Sequence, residues 1–527
     1  MKFVSITLAI LCVFGTVIAV PLEKNTFASW SSLESIGESL SGLVYSLWDY
    51  QPKSEFDLPT QHSYDNRRKD LIEKTQESYF TVDVSELSEK EKQVDEYMSK
   101  LRDDIVQGDH TPLLLPFYES KKIVENSKIY DVLQKMPKGA QLHSHVAAAF
   151  PMDVFINLTY NDNVYFNMED NRIIVLESGE EKSGYFTCNS FRKNWQKEGT
   201  FDEYLRNLMM LEPDVMETKE SNDIWKYFQD KFSIASGMVR YPPYYKQLLR
   251  ATCLEAIKDK AYILEVRSSV GSMFDGDIDA ELNLYKEVIE EVKQEHPYFE
   301  LRLIISSSKV EDKQVIQRQL QYYEHARKTT NFVTGFDLVK EEDVSPPLYY
   351  YKDILLEAKQ NAAEGTEFKF FFHAGESTSR NNENLFDALL MGTERIGHGL
   401  AITKHPYLIE MVRERDIGYE ICPISNFILG YTLDLRWHPI RDLMVRGVAV
   451  TISSDDPTFW GYNKLSLDFV YAFLAWELDL KDLKQLAINS IKQSSITDSV
   501  RISVFEKFNK DWSDFVNEFA VSTINSF

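Results

Sequence analysis

Short apolar segments recur along the chain, separated by stretches with helical periodicity. "GAQLHSH" (139–145), "YILEVRSS" (262–269), "LRLIISSS" (301–308), "FVTGFDLV" (332–339), "KFFFHAGE" (369–376), "RIGHGLA" (395–401), "GYEICPIS" (418–425) and "VAVTISSDDP" (448–457) read as buried strands. Helical patterns lie between most of them, as at Pro243–Lys258 and Leu282–Glu295. Strand and helix alternating through about eight strands predicts an α/β fold, a (β/α)8 barrel of the TIM type. A doubly wound open sheet would alternate too, but no glycine-rich phosphate turn follows the first strand. Polar residues gather at the C-terminal ends of the strands, where a barrel places its active site.

The flanks differ in pattern. "VSELSEKEKQVDEYMSKLRDDI" has a serine-capped start and apolar positions at helical spacing, so residues 20–135 are expected to form a helical arm. Between Asn161 and Asn194, strand-like pieces such as "RIIVLES" alternate with polar turns. They predict an inserted module over 161–219, with the barrel in 136–160 and 220–527. Met1-Lys2 precedes the apolar run Phe3–Val20, which ends in small or modest residues at Val17-Ile18-Ala19. This predicts a secretory signal over 1–19, cut near Ala19, rather than a membrane anchor, since the run is short for a span and Pro21 follows it. The mature protein is therefore expected to be extracellular.

The 58 basic and 82 acidic side chains leave a net charge of −24, which argues against nucleic acid as a partner. Of four cysteines, Cys12 leaves with the signal, and Cys188, Cys253 and Cys422 are too few for a disulfide framework. Cys253 and Cys422 fall in apolar segments and read as buried, inert thiols. Asn157-Leu158-Thr159 is a glycosylation sequon if the chain is exported.

His143 and His145 stand two apart in a strand, so both can face one metal ion. Alone, such a pair is weak evidence. Further strand ends add His373 with Glu376 after it, His398 between glycines that would let a ligand approach, and the adjacent carboxylates Asp455 and Asp456. Each has an ordinary explanation: His398 could cap a turn, Glu376 could be a solvated loop acid, and Asp455-Asp456-Pro457 could start a helix. Together, three histidines and an aspartate with room for water describe a catalytic divalent-metal site of the kind zinc favours.

The ordered set "MPKGAQLHSH", "FFHAGES", "RIGHGLA", "CPISN" and "ISSDDP" resembles the adenosine deaminase family, in particular its secreted branch, the adenosine deaminase-related growth factors. The resemblance implies a barrel of the metal-dependent hydrolase kind that deaminates a purine nucleoside, adenosine or 2′-deoxyadenosine, with one zinc per chain. His143, His145, His373 and Asp455 would hold the zinc. Glu376 would protonate ring N1 and need a raised pKa to do so, His398 would position and deprotonate the water, and Asp456 would meet N7. The arm would mediate homodimerisation, and the insert would bind a cell-surface receptor or glycan.

Three positions depart from the family's pattern. Val146 replaces an aspartate that grips ribose, Lys340 replaces a glycine whose amide meets purine N3, and Lys309 is the nearest residue to a pocket histidine at the end of the third strand. Losing a designed bond to a substrate hydroxyl weakens discrimination strongly, so the expected ligand shifts toward a more anionic one that two lysines could meet. Trp225, in "IWKYFQDKF", resembles the pocket-wall helix and would offer an apolar face, although such a stripe is also ordinary core. The insert holds only Cys188 where relatives have a disulfide. Two other readings follow from these departures: a metal-containing extracellular binding or signalling protein, and an amidohydrolase acting on a related ring.

Overall fold

The structure is a computed structural model that describes residues 61–77, 86–107, 111–213, 215, 221–362 and 367–524; the expected signal segment 1–19 lies outside them. The chain divides into two compact units, Met1–Gln76 and Glu77–Phe527. The described part of the first is essentially the helix α1 (Gln61–Glu77). Everything below concerns the second unit.

Ser88 starts helix α2 (Glu89–Val106) with a reciprocal capping box: its amide donates to Glu91 Oε2 at 2.9 Å and its hydroxyl accepts from the Glu91 amide. Val94 and Met98, one turn apart, bury one face of α2. Glu91 Oε1 receives Lys484 Nζ at 2.7 Å and Trp512 Nε1 at 2.8 Å, tying α2 to helices α18 (Leu480–Gln493) and α19 (Asp498–Ile524). Helices α3 (Phe117–Glu125) and α4 (Lys128–Lys135) then lead to the first strand. Residues 89–135 of the expected arm thus pack in one unit with the barrel, and that unit has no boundary at 135.

Parallel strands β1 (Gly139–Gln141), β5 (Ala261–Ser268), β6 (Glu300–Ser308) and β7 (Val333–Val339) form one run of neighbours. A second comprises β8 (His373–Ala374), β9 (Arg395–His398), β10 (Gly418–Ile421) and β11 (Val450–Ile452). Backbone hydrogen bonds join the two runs at both edges. The Phe336 amide donates to Lys369 O and the Phe371 amide to Phe336 O, both at 3.0 Å; the His145 amide donates to Asp455 O at 3.2 Å, and the Asp455 amide to His143 O at 3.3 Å. The eight strands therefore close into the barrel, and each lies in one of the eight apolar segments. The strands are buried almost throughout because helices such as α9 (Pro242–Lys258), α10 (Ile278–Glu295) and α11 (Lys313–Thr329) cover their outer faces.

Between β1 and α9 the chain forms α5 (Met152–Leu158), then an antiparallel sheet of β2 (Val164–Asn167), β3 (Arg172–Val175) and β4 (Phe186–Thr187), and then the helices α6 (Cys188–Asn194) and α7 (Phe201–Met209). Helix α8 (Ser221–Val239) lies against this sheet so closely that a Cβ on Gly237 would stand 2.2 Å from Ile173 O. The same helix presents Trp225 and Phe228 to the barrel mouth. Cys188, Cys253 and Cys422 are buried free thiols, and no helix among the described residues is long and apolar enough to cross a membrane.

Candidate active site

Where β1 runs out, His143 and His145 both turn toward Asp455: their Nε2 atoms lie 3.3 and 3.2 Å from its Oδ1. His373, at the end of β8, completes a set of four whose ligand atoms all lie within 4.8 Å of one another. His143 Nε2 and Asp455 Oδ1 are buried without a hydrogen-bond partner, a costly state that a cation between them would relieve. The residues therefore fit a metal. Two of the positions that build the mouth are backbone outliers: His398 and Asp455 have φ of 62° and 63°, the left-handed region that non-glycine residues uncommonly occupy.

Behind the donors lies a layer of charge that the strand pattern did not announce. His143 Nδ1 is 2.8 Å from Glu420 Oε2, and His373 Nδ1 is 2.6 Å from Asp337 Oδ2. Each contact fixes one ring nitrogen and aims the other into the site. Arg267 joins the two acids, with Nε 2.7 Å from Asp337 Oδ2 and Nη2 2.5 Å from Glu420 Oε2. Arg395 extends the chain from Glu420 Oε1 at 2.6 Å to Glu265 Oε2 at 2.5 Å. Burial would raise the pKa of Asp337 and Glu420, but the arginines and histidines outweigh it and hold both carboxyls well below their usual range. These residues sit inside β5, β7, β9 and β10, where a lone charge in an apolar strand was the only sequence signal.

Glu376, two residues beyond β8, is 2% exposed, and burial, followed by the charge of Asp455 and Glu342, pushes its pKa well above the carboxylate norm. Asp456 is likewise raised by burial and by Asp455. Asp455 itself is held well below normal: burial opposes this, but the close imidazoles of His143 and His145 prevail. The site thus pushes the pKa values of its acids apart, Glu376 and Asp456 upward and Asp455 downward. His398 Nε2 faces Glu376 Oε1 at 3.6 Å, while its Nδ1 meets Asn426 Nδ2 at 3.1 Å. Asn426 Oδ1 in turn lies 3.3 Å from Nε2 of the buried His438. Burial lowers the pKa of His398, keeping its ring neutral. Ser425 Oγ donates to Asp455 Oδ2 at 2.8 Å. Asn426 and Ser425 belong to "CPISN", a motif with no site role assigned to it from sequence.

A cavity of about 210 Å³ opens over these groups. Trp225, Phe228 and Phe232 form an apolar wall, with Gln229, Ser308, Val339 and Lys340 beside it. Trp225 Nε1 is tied to Tyr431 Oη at 2.7 Å, which holds the indole in place. Lys340 is on the cavity as expected, but three other expectations need correction. Val146 does not line the cavity; it is 3% exposed and packs into the core. Lys309 is fully buried with Nζ 3.5 Å from Glu342 Oε1 and 3.4 Å from His373 O, and the residue lining the cavity at that strand end is its neighbour Ser308. The side chain alternates at each residue of a strand, so a shift of one exchanges the two faces. Gly397 makes room for the His143 ring, since a Cβ there would stand 3.0 Å from its Cε1, so this glycine serves packing rather than ligand approach.

A closed parallel barrel whose strand ends converge three histidines and an aspartate, beside a buried carboxyl and a buried imidazole, defines a metal-dependent aminohydrolase. The adenosine deaminase family profile matches residues 206–511. Adenosine deaminase 2 of Homo sapiens is 32% identical over 433 residues, covering 78% of this chain and 84% of its own. Adenosine deaminase 2-A of Danio rerio is 31% identical, covering 86% of this chain and 94% of its own. A zinc-bound amidohydrolase structure from Burkholderia ambifaria shares the fold with a TM-score of 0.53 at 18% identity, over 75% of this chain and 95% of that one. The chain belongs to the adenosine deaminase family, and its substrate class is a purine.

Proposed function

We propose that this protein is a secreted, zinc-dependent deaminase that converts adenosine and 2′-deoxyadenosine, with water, to the corresponding inosine and ammonia. The observation that carries this reading is the placing of a buried Glu376 and His398, 3.6 Å apart, on the same cavity as the four converging donors. A structural metal would need neither. His143, His145, His373 and Asp455 would hold the zinc, a reading that the orphaned His143 Nε2 and Asp455 Oδ1 support. When bound, the ion supplies the charge that makes a water nucleophilic near neutral pH.

The chain's own groups supply the rest. Glu376 holds a proton it can give to a ring nitrogen, withdrawing electrons from the carbon under attack. His398, steadied by Asn426, orients the water and takes its proton. Asp456 bonds the ring edge, and Trp225 covers a face of the substrate. The zinc in the Burkholderia ambifaria structure supports the choice of metal. Secretion, glycosylation at the exposed Asn157, dimerisation through the N-terminal arm and receptor or glycan binding by 161–219 belong to the same reading, on the strength of the family resemblance. The test is a metal titration of the stripped protein: formation of inosine from adenosine should rise in proportion to added zinc and saturate at one ion per chain. A protein that binds one zinc and forms no inosine would refute it.

A further inference from the structure

Lys340 follows β7, and its backbone has φ of 123°, a region almost reserved for glycine. A side chain is kept there at the cost of strain. Lys340 is also the one lysine or arginine among the described residues lining the cavity. Its Nζ donates to a neutral group, Gln229 Oε1 on α8, and among the described residues no carboxylate stands within ion-pair distance of it. Glu341 and Glu311 act on it only at longer range. A half-buried ammonium with a single neutral partner lacks its best partner, an anion. The Gln229 amide and the Ser308 hydroxyl, on the same cavity, can also donate to anionic oxygen. The acids lining the cavity, Glu376, Asp455 and Asp456, all belong to the reacting centre.

We propose that Lys340 reads an anionic group on the part of the substrate remote from the reacting carbon, so that the cavity takes a purine nucleoside 5′-phosphate in preference to the uncharged nucleoside. The proposal rests on the purine deaminase reading and adds the substrate's charge to it. The reaction keeps its balance: water oxygen bonds to C6, the C6–N bond breaks, and the amino group leaves as ammonia, so AMP and water give IMP and ammonia. A phosphate beside Nζ would replace Gln229 Oε1 as its partner. Lysine suits this because its flexible stem and compact charge can follow a phosphate.

The test compares binding of IMP and of inosine to the zinc-loaded full chain by calorimetry, for wild type, Lys340→Gln and Lys340→Gly. The glycine variant suits the local backbone and so keeps the fold. Wild type should bind IMP at least tenfold more tightly than inosine. Both variants should bring that ratio to within about threefold of unity, and added salt should erode it in wild type. Inosine binding as tightly as IMP, a ratio that survives both substitutions, or binding of hypoxanthine alone because the side chain excludes the sugar, would each overturn the proposal. The assays separate the two claims: absence of AMP and adenosine turnover with the binding ratio intact would remove the deaminase reading and leave the anion site standing.

Discussion

Burial, and then the neighbouring charge of Asp455, make the Glu376 carboxylate costly and raise its pKa. The acid form is the working form, so catalysis should be lost as pH rises through the elevated pKa, giving an alkaline limb to kcat. Glu376→Gln keeps the shape and the metal donors but cannot deliver a proton. It should lower kcat by about 10²–10⁴-fold, with zinc content unchanged by metal analysis. Asp337 makes a different prediction, because it touches His373 and not the substrate. Asp337→Asn should weaken zinc binding by about 10–100-fold in a chelator competition. At this scale the sequence named the candidate donors that the fold brings together, since His143, His145, His373 and Asp455 stand in recognisable motifs. It could not show Asp337, Glu420 or Arg267, whose meaning lies in partners on other strands. Nor could it tell Ser308 from Lys309, where one residue of register decides which side chain reaches the cavity.

Strands β5, β7, β9 and β10 carry a continuous charged ladder through the barrel interior, and helix α2 is pinned to the C-terminal helices by one acid. The ladder closes on Arg267, whose removal strands two buried carboxylates. Arg267→Met should cost about 3–5 kcal/mol in denaturant unfolding of the metal-free protein. Glu91 sets a pH dependence. Burial raises its pKa, but Lys484, Ser88 and Trp512 outweigh that and hold it at about 2 against an ordinary 4.5. The folded state thus binds fewer protons than the unfolded state between these values. Its stabilisation is complete above pH 4.5 and is lost as pH falls toward 2. Glu91→Gln should lower stability at pH 7 by about 1–2 kcal/mol and flatten this part of the acid profile. Elements were the most legible level, because eight apolar runs separated by helical periods admit few folds. The packing of residues 89–135 onto the barrel was not legible, because the bonds from Glu91 reach residues 393 and 421 positions away.

The four candidate donors come from the segment after β1, from β8 and from the segment after β11 and meet only when the barrel closes, so a metal bound there would be coupled to the fold. Zinc should therefore stabilise the native state, and a chelator should lower the melting temperature in a manner that depends on free zinc. The barrel and the family relationship cohere in a metal-dependent purine deaminase, for which we propose Glu376 as the proton donor. The most direct test of that claim follows the loss of adenosine and AMP absorbance with zinc-loaded wild type beside Glu376→Gln at matched metal content. Wild type should turn over an adenine nucleoside or nucleotide, and the variant should lose at least about 100-fold in rate. Absence of turnover by wild type carrying one zinc per chain, or equal rates in the two proteins, would contradict it.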